Sequence, residues 1–426
     1  MDNKLRRVLL ASSVGSALEW YDFFIYGTAA ALVFGELFFP KLDATVGTLA
    51  AFATFGVGFV ARPLGGLVFG HLGDRIGRKP VLVITLLLVG GGTFLIGFLP
   101  TYESIGIWAP VLLVTLRLVQ GFGAGAEYGG AVLLAVEHAP PGKRGFFGSW
   151  APIGVTVGNM SAVGVFAIFS ALPKEEFLAW GWRVPFILSI VLIVFGFYIR
   201  ARVSETPVFS ETLAKNKPLK TPVREALRKH PREFLVVIGA RLAENGLGYL
   251  FPVFTLNYLT KTLQMAKSTV LGSLMIAYAL SLFTIPAFSI LSDRIGRRPV
   301  YMGGAIFSAL LAFPYFWLVN TQQPALVTLA FILAISIGVS AMFGPQAAYF
   351  AELFTTRLRY SGFAFARELG SILAGGPAPF LAAWLVLQGG GQPWGVALYI
   401  IVLSLLTAFA LYKGPETYRA DIGAEG

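Results

Sequence analysis

The sequence predicts an all-α membrane protein whose chain crosses the bilayer twelve times. Of its 426 residues, 56% are hydrophobic and only 13% are charged, whereas a soluble domain carries about 25% charged residues. Apolar stretches recur along the whole chain, and several exceed the ~20 residues that a transmembrane helix requires. Strands of a membrane barrel are shorter and alternate in polarity, so helices are favoured. This composition excludes a cytosolic enzyme and a disordered chain.

Each of the twelve apolar stretches is predicted to form one membrane-spanning helix. The N-terminus resembles a signal peptide because Arg6 and Arg7 precede an apolar run. Glu19 and Asp22 follow within that run, however, and it continues past them, so the first stretch is predicted to stay as an uncleaved helix. The predicted spans are residues 9–34, 48–72, 80–99, 107–136, 145–172, 184–200, 234–258, 268–291, 300–318, 325–350, 361–387 and 395–411.

Lysine and arginine are distributed unevenly between alternate connections. Of the 33 basic residues, 24 lie on the side that holds both termini, five on the other side and four within spans. Basic loops remain in the cytoplasm, so both termini are predicted to be cytoplasmic. Membrane orientation thus accounts for the net charge of +11, and no nucleic-acid-binding surface is needed to explain it.

The longest polar stretch, residues 203–232, divides the chain into two halves of six spans. Residues 1–202 and 233–426 are therefore predicted to form two six-helix bundles joined by a cytoplasmic linker. The segment HLGDRIGRKP at 71–80 recurs as ILSDRIGRRP at 290–299, and each copy follows an even-numbered span. The halves thus form a parallel repeat, related by an axis along the membrane normal, with a cavity expected between the bundles.

Several motifs resemble the major facilitator superfamily. DRIGRK at 74–79 and RLVQG at 117–121 are similar to its signatures, while EWYDFFIYG at 19–27, FVARPLGG at 59–66 and GFGAGAEYGG at 121–130 are similar to the metabolite:proton symporter family. Within that family the chain most resembles the shikimate transporter branch. The resemblance implies a monomer in the bacterial inner membrane that carries a small molecule and uses the proton gradient instead of a cofactor.

The first span carries the main candidates for proton coupling. Glu19, Asp22 and Tyr26 are spaced i, i+3 and i+7, which places them on one helical face. Two carboxylates one turn apart repel each other, and this favours the protonated form of one of them. Asp22 is predicted to carry the proton, with Glu19 as its partner and Tyr26 as a substrate ligand. Permanent ion pairing of both acids with Arg62 or Arg117 is the structural alternative.

The fourth span places Arg117, Gln120 and Glu127 along another face. A guanidinium can donate two parallel hydrogen bonds to a carboxylate. Arg117 is therefore predicted to anchor an anionic substrate with Gln120 beside it, and Glu127 is a further candidate for proton coupling. A structural pair between Arg117 and an acid is equally compatible with the sequence.

The same span has glycine at positions 121, 125 and 129, at a spacing of four residues. A row of small residues lets a second helix approach closely. These glycines are therefore predicted to form a packing face.

The seventh span carries Arg241 and Glu244 at i and i+3, where they can pair along the helix. A carboxylate substrate competing for Arg241 would free Glu244 for a proton. Asn245, Tyr249 and, in the fifth span, Asn159 are predicted to donate further hydrogen bonds to substrate. The alternative is a purely structural pair.

Three charged residues in other spans are assigned by position. Arg62, near the middle of the second span, is a candidate for substrate binding or coupling. Arg367 and Glu368 lie close to the start of the eleventh span, which favours a gate or a pair that extends to the membrane surface. Most aromatic residues, among them Trp20 and Tyr21, are expected to face lipid or the interface. Trp150 and Tyr349 are candidates for lining the cavity instead.

The resemblance implies that the repeated loop acts as a conformational latch at the cytoplasmic side; the alternative is that the loop only holds positive charge inside. Asp74 can lie at a helix N-terminus, where the helix dipole favours an anion. Contacts worth about 1–2 kcal/mol each are sufficient to bias two conformational states. The predicted latch residues are Asp74, Arg75, Arg78, Glu137, Arg144, Asp293, Arg294, Arg297, Glu352 and Arg359.

These features favour a symporter that moves a small organic carboxylate, shikimate-like or a di- or tricarboxylate, together with protons by alternating access. The alternative cargo is a zwitterionic osmolyte such as betaine or proline. The chain has no cysteine, its three histidines do not have metal-ligand spacing, and no phosphate-binding loop is present. A metalloenzyme and an ATP-driven pump are therefore disfavoured. A receptor without transport is disfavoured because no appended signalling domain is expected.

Overall fold

Among the residues that it describes, the computed structural model contains eleven helices long and apolar enough to cross a membrane and one shorter apolar helix, which together agree with the twelve predicted spans. Eleven cover at least 18 residues, and the third is shorter, with an apolar part at Val83–Ile96. In chain order they are α1 (Ser12–Phe38), α2 (Ala44–Phe69), α3 (Val83–Ile96), α4 (Trp108–Glu137), α5 (Arg144–Ser170), α6 (Gly181–Tyr198), α7 (Pro231–Thr262), α8 (Lys267–Ile295), α9 (Arg297–Asn320), α10 (Pro324–Glu352), α11 (Arg359–Gln388) and α12 (Trp394–Lys413).

Some helices extend beyond these apolar cores. The first begins at Asn3, the second continues to Ile76, and the third begins at Arg78. The structure describes the backbone of residues 3–76, 78–125, 127–202, 222–355 and 358–420, and within these ranges it does not describe the side chains of residues 3–8, 11, 70, 71, 73–76, 78, 79, 82, 127, 134, 199–202 and 222.

The helices form two bundles, α1–α6 and α7–α12. In the first bundle α1 packs along α5, and α4 packs against α2 and α3; in the second, α12 packs against α7 and α9. The bundles meet where α5 contacts α8 and where α2 contacts α11. These two interfaces are equivalent under the repeat, because α2 corresponds to α8 and α5 to α11. The predicted architecture of two six-helix bundles is confirmed.

Glycine sets the closest helix crossing of the first bundle. A Cβ on Gly125 of α4 would lie 1.9 Å from the carbonyl oxygen of Arg62, and one on Gly65 of α2 would lie 1.8 Å from that of Phe122. Side chains at these positions would overlap the opposing backbone, so only glycine fits. The packing role predicted for Gly125 is therefore confirmed, and Gly121 makes the same kind of contact with Gly58.

Several helices that surround the centre of the molecule contain π-helical turns, which widen the backbone locally. Two of them flank residues with predicted roles, since Leu250–Phe254 follows Tyr249 in α7 and Ser371–Gly375 follows Glu368 in α11. The other described π-helical segments are Ala30–Phe34, Tyr258–Thr262 and Ile332–Val339.

The bundles contact each other at both ends of the molecule. One end, called here the basic end, holds the connections after α4, α8 and α10, where Asp293 accepts a hydrogen bond from the backbone of Gly145. At the opposite end the side chain of Asn257 donates a hydrogen bond of 2.7 Å to the carbonyl of Ala31. Most of the predicted linker, residues 203–221, lies outside the described residues, and helix Pro222–Lys229 precedes α7.

Candidate functional site

A cavity of about 50 Å³ lies between the bundles, among α1, α5, α7, α8 and α10. Four predicted site residues line it: Asn159, Glu244, Asn245 and Tyr249. The space suits a few water molecules, since one water needs about 10–15 Å³ of such a cavity. A small organic acid therefore requires movement of the bundles or of the lining side chains before it can bind here.

Aromatic rings form one wall of this cavity. Tyr249 stacks on Trp20 and Phe24 at centroid distances of 6.1 and 5.3 Å, and its far side packs edge-on against Phe55 and Phe59. The expectation that Trp20 faces lipid or the interface is wrong, because its ring is buried against α7. The same correction applies to Tyr21, whose ring is buried in the protein. Tyr349 is buried as well but is not among the residues that line this cavity.

Arg117 occupies an apolar pocket behind this wall. Its side chain is fully buried, and its guanidinium carbon lies 4.0, 4.2 and 4.9 Å from the ring centroids of Phe23, Tyr26 and Phe55. Its hydrogen bonds go to Gln120 and, at 3.4 Å, to the carbonyl of Phe55. None of the ion pairs among the described residues includes Arg117. A buried guanidinium held by rings and neutral oxygens retains capacity to bind an anion.

Gln120 connects this pocket to the predicted proton site. It accepts a hydrogen bond from Arg117 and donates to the backbone carbonyl of Asp22 at 3.0 Å and to Thr93 at 2.9 Å. Asp22 is buried, and a Cβ on Gly90 would lie 3.7 Å from its Oδ2. Gln120 is thus the one side chain between the guanidinium of Arg117 and the backbone of Asp22 in these hydrogen bonds.

Tyr26 donates a hydrogen bond of 2.7 Å to Thr54. Its ring packs on Arg117, so Tyr26 lies at the predicted anchor although it does not line the cavity. The side chain of Glu127 lies outside the described residues.

A chain of four buried charges crosses from one bundle to the other. Arg62 in α2 pairs with Glu19 in α1 at 3.1 Å and with Glu368 in α11 at 2.9 Å. Glu368 also pairs with its neighbour Arg367. The predicted alternative in which Arg62 pairs with Glu19 is therefore present in this conformation.

The interpretation of Arg367 and Glu368 as a pair that reaches the membrane surface is wrong. Arg367 is 1% exposed and Glu368 4% exposed, and the guanidinium carbon of Arg367 lies 3.9 Å from the ring centroid of Tyr128. Helix α11 begins at Arg359, so eight residues at 1.5 Å each carry Arg367 about 12 Å into the molecule. The sequence analysis placed the start of this helix at residue 361, only six residues before Arg367, and therefore underestimated how deeply the pair is buried.

A second polar cluster surrounds the pair in α7. Arg241 and Glu244 form the intrahelical ion pair that their spacing predicts. Glu244 also accepts a hydrogen bond from Gln346 in α10, and Arg241 donates to Ser371 in α11 at 3.2 Å. Glu244 also lines the cavity, so one partner of the pair faces the space between the bundles.

Asp293 forms the centre of the contacts at the basic end. Its two carboxylate oxygens accept hydrogen bonds from the backbone nitrogens of Gly145 at 2.8 Å and Phe146 at 3.0 Å. These nitrogens belong to the first turn of α5, so an aspartate of one bundle caps a helix of the other. The sequence analysis predicts such a cap for Asp74, the counterpart of Asp293 in the first copy of the loop, and the side chain of Asp74 lies outside the described residues.

Other predicted latch residues extend these contacts. Arg297 makes two hydrogen bonds to Glu352 at 3.1 and 3.2 Å and one to Asp293 at 2.7 Å. Across the bundles, Arg359 pairs with Glu137 at 3.2 Å, and Arg144 lies 3.9 Å from Glu352. Arg294 is exposed and takes no part in the described ion pairs. Three further predicted latch residues have side chains that the structure does not describe: Asp74, Arg75 and Arg78.

The segment after α12 adds contacts at the basic end that the sequence analysis missed. Glu416 accepts hydrogen bonds from the backbone nitrogens of Arg297 and Arg298, and so caps the N-terminus of α9. Thr417 donates to Glu352 at 2.7 Å. A carboxylate three residues beyond the last span gave no signal because its partner is 118 residues away in the sequence.

Replacement of Asp293 by alanine is expected to weaken closure of the basic end. It removes the cap of α5, worth about 1 kcal/mol, and one carboxylate partner of Arg297. We expect a lower melting temperature of the purified protein than for Arg294→Ala, which removes an adjacent exposed side chain. Equal melting temperatures for the two variants would contradict a role of Asp293 in the latch.

The buried charged and polar side chains between the bundles are suited to binding charged and polar ligands. Among the residues that the structure describes, no group of three or more His, Asp or Glu is placed to hold a metal ion. Ion pairs join most of the charged groups within the spans, while Arg117 has aromatic neighbours and neutral oxygens.

Comparison with known proteins agrees with this architecture. The chain is 41% identical over 421 residues to the shikimate transporter of Escherichia coli, covering 98% of this chain and 96% of that protein. It is 38% identical over 443 residues to the proline/betaine transporter of Salmonella typhimurium, covering 99% and 87%. A partially occluded inward-open structure of the E. coli xylose transporter superposes with a TM-score of 0.74 at 17% identity, covering 98% and 99%.

The model of the Major Facilitator Superfamily matches residues 12–366 and, in a second match, 234–425. Together these matches extend over both bundles and all twelve helices. The relatives are transporters, and this chain is a multi-pass membrane transporter and not an enzyme. It belongs to the Major Facilitator Superfamily.

Proposed function

We propose that the protein takes up a small organic carboxylate together with protons across the bacterial inner membrane, with both termini in the cytoplasm. The substrate binds between the bundles, and the loaded carrier reorients by alternating access. The shikimate transporter at 41% identity supports a cargo of this class. The 24 basic residues on the side of the termini support the orientation, which makes the basic end cytoplasmic.

The observation that carries this proposal is the environment of Arg117. Arg62, Arg241 and Arg367 each have a carboxylate partner, whereas Arg117 has aromatic rings and neutral oxygens. A buried cation is costly unless an anion approaches it. A substrate carboxylate at Arg117 supplies that anion and receives a two-pronged hydrogen bond.

The route from the cavity to Arg117 passes two rings. Phe55 contacts both the guanidinium of Arg117 and the ring of Tyr249, which lines the cavity. A change in the side-chain rotamers of Phe55 and Tyr249 opens the cavity toward Arg117. The enlarged space accommodates the carboxylate end of the substrate, and Asn245 and Asn159 remain on the opposite side to bind its hydroxyl or carbonyl groups.

Asp22 is the proposed proton carrier, with Glu244 as the second carboxylate of the transport cycle. Gln120 links Asp22 to Arg117, so occupation of Arg117 by substrate changes the surroundings of Asp22. Glu244 shares Arg241 with any anion that enters the cavity. Glu19, which pairs with Arg62 in this conformation, stays the alternate acid.

Asp22→Asn is expected to abolish accumulation driven by a pH gradient and to retain exchange of labelled for unlabelled substrate. Exchange needs reorientation of the loaded carrier only, whereas accumulation needs release of the proton. The measurement is uptake of shikimate, 2-oxoglutarate and citrate by proteoliposomes with and without an imposed pH gradient. If the parent protein takes up substrate at the same rate with and without the pH gradient, proton coupling is refuted. Full accumulation by Asp22→Asn would refute the role of Asp22.

A zwitterionic osmolyte is the second candidate, favoured by the composition of the cavity wall. Trp20, Phe24, Tyr249 and Tyr278 line it together with Glu244, and aromatic faces beside an acid bind quaternary ammonium groups. The proline/betaine transporter of Salmonella typhimurium, at 38% identity, is also a relative. Uptake of glycine betaine that exceeds that of every carboxylate in the same assay would favour this candidate.

A further inference from the structure

A second cavity, of about 500 Å³, lies at the end of the molecule opposite the basic end, where α5 of the first bundle meets α8 of the second. The residues that follow α5, a short helix at Lys174–Ala179 and the first residues of α8 line it. We call it the lysine cavity, after Lys174 and Lys267 in its wall. Its volume is typical of small-molecule sites, roughly 300–1,000 Å³. The central cavity holds only about 50 Å³, so a small organic acid fits the lysine cavity without any movement of the bundles.

Three lysines from both bundles converge on this cavity. Lys174 of the first bundle and Lys267 of the second line it, and Lys261, near the end of α7, acts electrostatically on Lys267. Basic residues are rare at this end, since only five of the 33 lysines and arginines are predicted on this side. The preference of basic loops for the cytoplasm disfavours lysine here. Membrane orientation therefore does not explain why three of the five come together.

These lysines share one carboxylate among the described groups that act on them. Lys174 pairs with Glu36 of α1 at 3.2 Å, but the two side chains are 71% and 45% exposed, and an ion pair in water is weak. Glu36 is also the carboxylate that acts on Lys261 and Lys267, and neither of these two lysines takes part in a described ion pair. The cluster thus has an excess of positive charge that a ligand carboxylate can neutralise.

An aromatic ring holds one of the ammonium groups at the cavity. The Nζ atom of Lys267 lies 4.6 Å from the ring centroid of Phe177, and this ring is buried in the first bundle. The contact joins the bundles and leaves the hydrogen-bond donors of the ammonium group available, because a ring face accepts charge without accepting every N–H. Two acids of the short helix, Glu175 and Glu176, are exposed, where water and salt screen them.

We propose that the lysine cavity binds the carboxylate of the cargo at the outer face before the bundles open there. This role rests on the proposed function, which supplies both the carboxylate cargo and the orientation of this end toward the outside. Lys174 and Lys267 donate hydrogen bonds to the carboxylate, and Lys261 adds to the field that attracts it. Because the lysines belong to different bundles, separation of the bundles at this end moves them apart and releases the carboxylate into the opening path.

A thiol placed in the cavity tests its electrostatic potential, since the chain has no cysteine of its own. Ala171 lines the cavity and is exposed, so Ala171→Cys is accessible to reagents. Gln392→Cys is the matched control at the same end: it is exposed between α11 and α12, and no charged residue occurs from 369 to 412. The measurement is the rate of reaction with anionic and with cationic methanethiosulfonate reagents, on the full-length protein in phosphatidylcholine nanodiscs at low ionic strength.

The ratio of the anionic to the cationic rate is expected to be about tenfold higher at Ala171→Cys than at Gln392→Cys. Adding Lys174→Gln/Lys267→Gln to Ala171→Cys should lower the ratio to that of the control. Lys41→Gln removes an exposed lysine on the same side and should leave it unchanged. Equal ratios at the two thiols would overturn the proposal. If the double variant does not fold, Lys174→Gln alone decides, because this exposed side chain is expected to account for about half of the effect on a logarithmic scale.

Protection of the thiol from a neutral maleimide identifies the ligand. Shikimate, 2-oxoglutarate or citrate at millimolar concentration is expected to slow the reaction of Ala171→Cys at least about threefold, a site half to two-thirds occupied or more, and to leave Gln392→Cys unaffected. A lipid phosphate has the same charge as these carboxylates, so nanodiscs that contain phosphatidylglycerol are the second arm. Protection by phosphatidylglycerol and by none of the three acids would assign the cavity to a lipid headgroup and overturn the proposal, as would the absence of any protection.

Transport kinetics distinguish the entry site from the proposed cargo. In right-side-out vesicles at low ionic strength, Lys174→Gln/Lys267→Gln is expected to raise the KM for external carboxylate about fivefold, more than it lowers the maximal rate, and high salt should reduce the difference. A parent protein that transports no carboxylate, while acids still protect Ala171→Cys, would refute the proposed cargo and leave the anion site. Carboxylate transport with the KM of the parent in the double variant would refute the entry site and leave the cargo.

Discussion

Arg117→Gln is expected to abolish carboxylate uptake while the protein still folds. Loss of a two-pronged hydrogen bond between a guanidinium and a carboxylate costs about 2–4 kcal/mol, or roughly 30- to 1,000-fold in uptake at low substrate concentration. Arg117 is fully buried and has no ion-pair partner among the described residues, so its removal leaves no stranded carboxylate. The melting temperature of the variant is therefore expected to equal or exceed that of the parent.

Two matched variants make this result specific. Arg117→Lys keeps the positive charge but loses the planar fork, and we expect an intermediate loss of uptake. Arg241→Gln leaves the buried Glu244 without its guanidinium, so it is expected to lower the melting temperature as well as uptake. Initial rates in proteoliposomes and thermal unfolding in detergent give the two readouts. Carboxylate uptake by Arg117→Gln at the rate of the parent would refute the proposed anchor.

Hydropathy and charge were sufficient to predict the fold because the bilayer imposes few choices. Each span must satisfy its own backbone hydrogen bonds, so each long apolar run becomes a helix, and the repeat at residues 71–80 and 290–299 identifies two bundles. The cap predicted for Asp74 follows from the same local chemistry by which its counterpart Asp293 caps α5.

A single sequence does not predict which residues from distant parts of the chain come into contact. Arg62 and Glu368 are 306 residues apart, and nothing in either motif indicates the other. The aromatic cavity wall was not predictable for the same reason. Trp20 and Tyr249 stack because α1 and α7 meet at the centre, whereas each aromatic residue alone is typical of a lipid-facing position. The Arg241–Glu244 pair was predictable because both partners lie on one turn of helix.

Gly125→Val is expected to prevent correct folding of the first bundle. Its Cβ would lie 1.9 Å from the carbonyl oxygen of Arg62 and 2.6 Å from the backbone nitrogen of Gly66. Backbone atoms cannot move aside as a flexible side chain can, so α2 and α4 must separate along their length. The cost exceeds about 4 kcal/mol, the range of severe core changes. Yield in the membrane fraction and the elution profile of the solubilised protein measure the loss.

Gly91→Val is the matched control, because a Cβ on Gly91 of α3 meets nothing within 4 Å; it should express and elute as the parent does. Gly125→Ala is a more sensitive test, because alanine already has the Cβ that would overlap the carbonyl oxygen of Arg62. The atom it meets belongs to Arg62, whose side chain binds Glu19 and Glu368. Whatever Gly125→Ala protein survives is therefore expected to have a displaced α2 and a weakened contact between the bundles. Parent-like yield and melting temperature for Gly125→Ala would refute this account of the crossing.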